Sequence, residues 1–199
     1  MEKAVKKISL DESSKEFTGL IERISDQKVN VCYQCLKCTA GCPMAEEMDY
    51  TPAQIVHAIR LGLEDLVIKS NTIWICVSCE TCSTRCPQGL DIAHLMDAAR
   101  NIAFRRGIKP PEDSGAIEDF YKVALGNIRT YGRMYELGMI MSYKMKTGDY
   151  LKDMKLGMKM GIKGKLKILP VKTKGAKEID RIFASVEKLE KLENKKEKP

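Results

Sequence analysis

All eight cysteines of this chain fall in two runs of one pattern, Cys32-x2-Cys35-x2-Cys38-x3-Cys42-Pro43 and Cys76-x2-Cys79-x2-Cys82-x3-Cys86-Pro87. Each cysteine of the second run lies 44 residues after its counterpart in the first. Thiolate sulfur is a soft metal ligand. Three cysteines, each two residues from the next, let one short loop set three thiolates around a single centre. The proline after the fourth cysteine fixes its own φ, keeps that cysteine extended and turns the chain away. Whatever these loops bind organises the fold around them.

The spacing resembles that of the bacterial two-cluster ferredoxins, in which the fourth cysteine of each run ligates the other cluster. The resemblance implies one [4Fe–4S] cluster on Cys32, Cys35, Cys38 and Cys86 and a second on Cys76, Cys79, Cys82 and Cys42. Two other uses of the cysteines compete. Disulfides fit poorly, because Met1 to Leu10 is lysine-rich without an apolar core and does not read as a signal peptide. Structural zinc stays open as the alternative. It more often uses paired C-x2-C knuckles a dozen or more residues apart, without a third cysteine and a Cys-Pro.

The 199 residues suit one domain, or one with an appendage. No apolar run approaches the ~20 residues of a membrane span, so the expectation is a soluble, cytoplasmic chain. The net charge of +7 is uneven. Ten lysines against Asp149 and Asp153 between Lys144 and Lys174 give that stretch +8, and the cysteine half is nearly balanced. The lysines read as a solvated face or as a patch for an acidic protein. Without interleaved aromatics they do not read as a nucleic-acid site.

Periodicity predicts mostly helix. Ser13 to Ser25 carries Phe17, Leu20, Ile21 and Ile24 on one face. Thr51-Pro52 is an N-cap followed by proline at the first helical position, opening a helix with Ile55, Val56, Ile59 and Leu63. The long helical segment between the cysteine runs replaces the short β-rich connection of small bacterial ferredoxins. Ser70 is expected to cap a short turn with Ile73, Trp74 and Ile75, the tryptophan packing beside the metal. Asp91 caps a helix that ends in Arg105 and Arg106 before Gly107. Pro110-Pro111 divides a cluster module, 1–109, from a Met- and Lys-rich helical extension, 110–199. In the extension, helices are expected to Gly126, from Arg129 to Lys146 and from Ala176 to Lys196, and seven of the eleven methionines lie between Met134 and Met160. As a group they suggest an adaptable surface for partner docking. The fold class is therefore mainly α, an α-helical ferredoxin with a C-terminal helical extension.

No phosphate loop or GxGxxG fingerprint is present. With every cysteine assigned to metal, none remains as a nucleophile, and His57 and His94 stand 37 residues apart without a partner motif. Catalytic residues are not expected. Two four-cysteine cubes leave no iron open to substrate, which makes an electron wire. Thr39, Ser78, Thr81, Ser83 and Thr84 are candidate hydrogen-bond donors to sulfur. Lys37 and Arg85 are candidate cations that raise the cluster potentials.

The chain also resembles the iron–sulfur C-subunit of the heterodisulfide reductases of methanogenic archaea. The likeness runs through Cys32-Tyr33-Gln34-Cys35, Cys38-Thr39-Ala40-Gly41-Cys42-Pro43, Trp74-Ile75-Cys76 and the segment Gly126-Asn127-Ile128-Arg129-Thr130-Tyr131-Gly132-Arg133. Leu36 departs from it, since the family favours glycine after the second cysteine. The resemblance implies an iron–sulfur subunit with two [4Fe–4S] clusters. It would relay electrons from a flavin/iron–sulfur subunit to a CCG-type catalytic subunit that reduces the mixed disulfide of coenzymes M and B. The larger assembly would include a hydrogenase or a formate dehydrogenase. The competing functions are the relay subunit of a succinate/fumarate or glycerol-phosphate type enzyme, and a zinc-stabilised interaction protein.

Overall fold

The computed structural model describes residues 14–111, 114–148, 154–165, 167 and 169–196. It is mainly helical, with no strand among the described residues. The chain forms two compact units, Met1–Ser114 and Gly115–Pro199.

In the first unit α1 (Lys15–Ser25) starts at Ser14, whose hydroxyl accepts from the Phe17 N–H, and it buries Phe17 and Ile21 while Ile24 stays exposed. The turn that follows Arg60 holds α1 in place. Ser14 N–H donates to the Gly62 carbonyl at 2.8 Å. Gly62 has φ +69 and lies so close to the Ser14 backbone that a Cβ would collide with it. A 3₁₀ turn, Val29–Val31, leads to the first cysteine loop, and its first N–H is taken by the Glu22 carboxylate at 2.9 Å. That loop contains α2 (Lys37–Ala40). Helix α3 (Pro52–Arg60) opens with a full capping box between Thr51 and Gln54. The short helices α4 (Glu64–Ile68) and α5 (Thr72–Ile75) follow. Ser70 does not cap α5. Its hydroxyl donates to the Val67 carbonyl, and the Asp49 carboxylate takes the N–H groups of Asn71 and Thr72, each at 2.9 Å. The second cysteine loop contains α6 (Thr81–Thr84). Asp91 then caps α7 (Ile92–Arg105), accepting from the His94 N–H.

The core lies among α1, α3, α4, α5 and α7, with Phe17, Ile21, Ile55, Ile59, Ile73, Trp74, Leu95 and Met96 almost wholly buried. Trp74 is 2% exposed and its Nε1 has no hydrogen-bond partner. It fills this core and lines neither of the cysteine cavities described below.

The second unit has α8 (Gly115–Tyr131), α9 (Glu136–Thr147), α10 (Met154–Ile162) and α11 (Ala176–Lys196). Helix α8 runs through Gly126 to Tyr131 instead of stopping at the glycine, because Asn127 does the turning from inside it. The Asn127 Oδ1 accepts from the Tyr135 N–H at 2.6 Å, and its Nδ2 donates to the Tyr135 carbonyl at 3.3 Å. Arg129 holds α11 through Asp180 at 2.6 Å and Glu187 at 2.5 Å, with its guanidinium over Phe183. Gly132, at φ +73, leaves room for Thr173, whose N–H donates to the Tyr131 carbonyl. Packing is thin. Among the described residues after Gly115 only Ala124 and Asn127 are buried, and α10 is exposed apart from half-buried Met160. Asp149 and Asp153 lie outside the described residues.

Candidate metal centre

Each cysteine loop is built from two left-handed residues on either side of its second cysteine. Gln34 and Leu36 have φ of 56° and 64°, and Ser78 and Glu80 have 48° and 59°. Alternation of left- and right-handed residues turns successive N–H groups to one side, forming a concave nest for negative charge. The backbone N–H groups of Thr39, Ser78, Thr81 and Ser83 donate to the sulfurs of Cys38, Cys76, Cys79 and Cys82.

Two cavities result. One is walled by Cys32, Cys35, Cys38 and Cys86 with Tyr33, Gln34, Leu36, Lys37 and Gln88. The other is walled by Cys42, Cys76, Cys79 and Cys82 with Met44, Met48, Val77 and Met96. Every thiol is free, and Cys35 and Cys79 are the exposed one of each set. Each set of four thiols lines a cavity and does not close on a single point. Four soft donors around a volume with no carboxylate in its wall, and with Lys37 as the one cation beside the first, suit a [4Fe–4S] cube, whose charge is negative.

Electrostatics follows burial. Burial pushes the Cys38, Cys76 and Cys82 thiols up. The backbone and hydroxyl of Thr39 oppose this at Cys38, the Ser78 N–H and Arg100 at Cys76, and Ser83 at Cys82. The Thr81 hydroxyl and N–H hold the exposed Cys79 thiol below its ordinary range. Of the hydroxyls expected at sulfur, Thr39, Thr81 and Ser83 are there. Ser78 instead donates to Asp97 at 3.1 Å, and Thr84 bonds the Glu80 carbonyl that precedes its own helix. A donor that sequence reasoning misses is Gln34, whose Nε2 lies 3.3 Å from Cys32 Sγ. Its left-handed backbone turns the amide back over the loop, and no linear pattern announces that. Lys37 lines the first cavity, whereas Arg85 lies across Gly41.

Sequence reasoning also misses two arginines. Arg100, largely buried, donates to the Ile73 and Cys76 carbonyls, each at 2.7 Å, and pairs with Asp97 at 3.1 Å. Arg60, exposed, donates to the Cys32 carbonyl at 3.3 Å. The signal for both is present in the chain, since each stands on the helix after its loop, 28 residues after Cys32 and 24 after Cys76. The hydroxyls of Thr39 and Ser83 also accept from Ala53 and Ala93 N–H, each at 3.2 Å, and so tie each loop to the next helix. His57 keeps a buried Nδ1 without a partner. His94 faces Asp91 at 3.4 Å. Neither lines a cysteine cavity.

Residues 28–90 match the 4Fe-4S dicluster domain. The chain is 40% identical over 96 residues, 46% of its length, to the iron–sulfur C-subunit of the CoB–CoM heterodisulfide reductase of Methanopyrus kandleri. It is 33% identical over 110 residues, 55% of its length, to the C-subunit of the H2:CoB-CoM heterodisulfide,ferredoxin reductase of Methanothermobacter marburgensis. A third relative, the C-subunit of the ferredoxin:CoB-CoM heterodisulfide reductase of Methanosarcina acetivorans, is 38% identical over 78 residues, covering 39% of this chain and 31% of that one. The chain spans about half of the first two relatives, 50% and 58% of their lengths. No helix among the described residues is long and apolar enough to cross a membrane. With eight thiols around two cavities inside the matched segment, the chain carries a two-cluster [4Fe–4S] domain and is similar, over about half its length, to the iron–sulfur C-subunits of heterodisulfide reductases.

Proposed function

We propose that this chain is the electron-relay subunit of a heterodisulfide reductase complex, with one cluster on Cys32, Cys35, Cys38 and Cys86 and the other on Cys76, Cys79, Cys82 and Cys42. The observation that carries the ligand sets is the grouping of thiols. Each cavity is lined by three cysteines of one run and the fourth of the other. When bound, the two clusters supply one-electron carriers in series. The chain's own residues do the rest. Nest amides and hydroxyls stabilise the negative sulfurs, the methionines of the second cavity exclude water, and Arg60 and Arg100 hold the first cysteine of each loop. Cysteine at all four corners leaves no coordination position for a substrate, so reduction of the coenzyme M–coenzyme B disulfide belongs to a CCG-type catalytic subunit. Electrons come from a flavin/iron–sulfur subunit. The setting is the cytoplasm, in a larger complex with a hydrogenase or formate dehydrogenase.

Anaerobic co-purification from the native host tests the reading. A relay subunit brings down a flavoprotein and a CCG-type protein and holds about eight irons per chain. Iron without those companions sinks the heterodisulfide assignment and keeps the wire. Cys42→Ala tests the crossed ligation, because it should bleach the centre of the second run. Loss of the first-run EPR signal instead would mean that each run holds its own cluster.

A further inference from the structure

We propose that the rim of the first cavity at Cys35 is the docking surface for a redox protein that presents an apolar patch edged with carboxylates. This rests on the electron-relay reading. Cys35 is an exposed ligand, and transfer between proteins falls steeply with distance, so a partner must close over such a corner. The residues flanking it are apolar and face solvent: Tyr33 is 70% exposed and Leu36 57%.

Leu36 is the telling residue. It holds a left-handed φ of 64°, a conformation that strains a residue with a Cβ and not glycine. It also spreads a large apolar side chain into water. Neither feature stabilises the isolated chain, and contact with an apolar partner surface would offset both. The charge specifies the rest of that surface. Between Cys32 and Cys42 the only charged residue is Lys37, and exposed Arg60 donates to the Cys32 carbonyl. Carboxylates around the partner's patch complement this pair and steer the encounter. The equivalent corner at Cys79 differs. There Val77 and Glu80 hold the places of Tyr33 and Leu36, so the two exposed ligands offer two distinguishable faces, as a relay between two proteins requires.

The test uses the reconstituted holoprotein against the host's flavin/iron–sulfur subunit and its CCG-type subunit, each immobilised separately. Leu36→Gly relieves the strained backbone but opens one wall of the first cavity, so it is compared with wild type at equal iron content. It should then bind one of the two subunits roughly tenfold more weakly, the effect of truncating one buried anchor. Lys37→Glu should weaken the same interaction and flatten its salt dependence, and Glu80→Gly should leave that affinity unchanged. Unaltered binding of both subunits by Leu36→Gly, with wild type binding, overturns the docking surface alone. Wild type binding neither subunit overturns the relay reading with it. If Leu36→Gly abolishes self-association and leaves binding to both subunits unchanged, the patch belongs to a second copy, which also overturns the proposal.

Discussion

Gln34 and Leu36 in the first cysteine loop and Ser78 and Glu80 in the second share a left-handed backbone, although no two of the four side chains are alike in chemistry. The same correspondence extends outward. Thr39 and Ser83 each take an N–H in the first turn of the next helix, and Arg60 and Arg100 each hold the carbonyl of the first cysteine. The offset between halves is 44 residues at the cysteines and 40 at the arginines, since four fewer residues separate the second loop from its helix. Loop geometry is therefore set by cysteine spacing and by the need to aim N–H groups inward. The side chains are left to make the two centres different. The first cavity has two glutamines, a tyrosine and a lysine in its wall, and the second has three methionines and a valine.

The sharpest difference is between the arginines. The Arg100 side chain is 14% exposed and bonds two carbonyls and Asp97. Charged hydrogen bonds contribute about 1.5–3 kcal/mol each, so Arg100→Met should cost on the order of 3 kcal/mol. The result is faster loss of visible cluster absorbance on heating, confined at first to the centre of Cys76. Arg60→Met removes one exposed contact and should cost below about 1 kcal/mol. Equal losses for the two variants would show that burial does not distinguish them. The caps come next. Thr39→Val and Ser83→Ala each remove a hydroxyl that a helix N–H and a sulfur share, and each should lower stability by about 1 kcal/mol. If Thr39→Val alone is costly, Asp91, whose carboxylate also accepts from the Ala93 N–H, caps the second helix without help from Ser83.

Much of this is legible in the chain. Thr51-Pro52 and Asp91 announce their helices because an N-cap is a local device, and α11 runs from Ala176 to Lys196 as its periodicity indicates. The failures are non-local. Ser70 has the chemistry of a cap, but Asp49, 22 residues upstream of Asn71, takes that role. Gly126 has the character of a stop, yet α8 continues because Asn127 anchors the Tyr135 backbone from within the helix. Trp74, two residues from a cysteine in sequence, faces the core. Leu36 stands out in the sequence as a departure from glycine, and its positive φ supplies the reason that glycine suits the position.

Glycine at the left-handed positions gives a smaller effect of opposite sign. Glu80→Gly removes the Cβ penalty but enlarges the conformational freedom of the unfolded chain. The net should be a stabilisation below about 1 kcal/mol, read as slower cluster loss on heating. A clear destabilisation would mean that the Glu80 side chain supports the second loop through contacts of its own.

The finest distinction concerns potential. Reduction adds negative charge to a cluster, which polar walls and sulfur hydrogen bonds favour and apolar burial opposes. The first centre has the Gln34 amide 3.3 Å from Cys32 Sγ and Lys37 in its wall. The Arg100 charge beside the second centre is largely cancelled by Asp97 at 3.1 Å. Redox titration should therefore resolve two waves, the upper one belonging to the Cys32 centre. Gln34→Leu should lower only that wave, by a few tens of millivolts, the equivalent of one neutral hydrogen bond. Asp97→Asn, by uncovering the Arg100 charge, should raise only the other. The two variants thus bring the waves together from opposite sides. If instead they move them apart, the methionine-lined centre is the higher of the two and electrons run toward it.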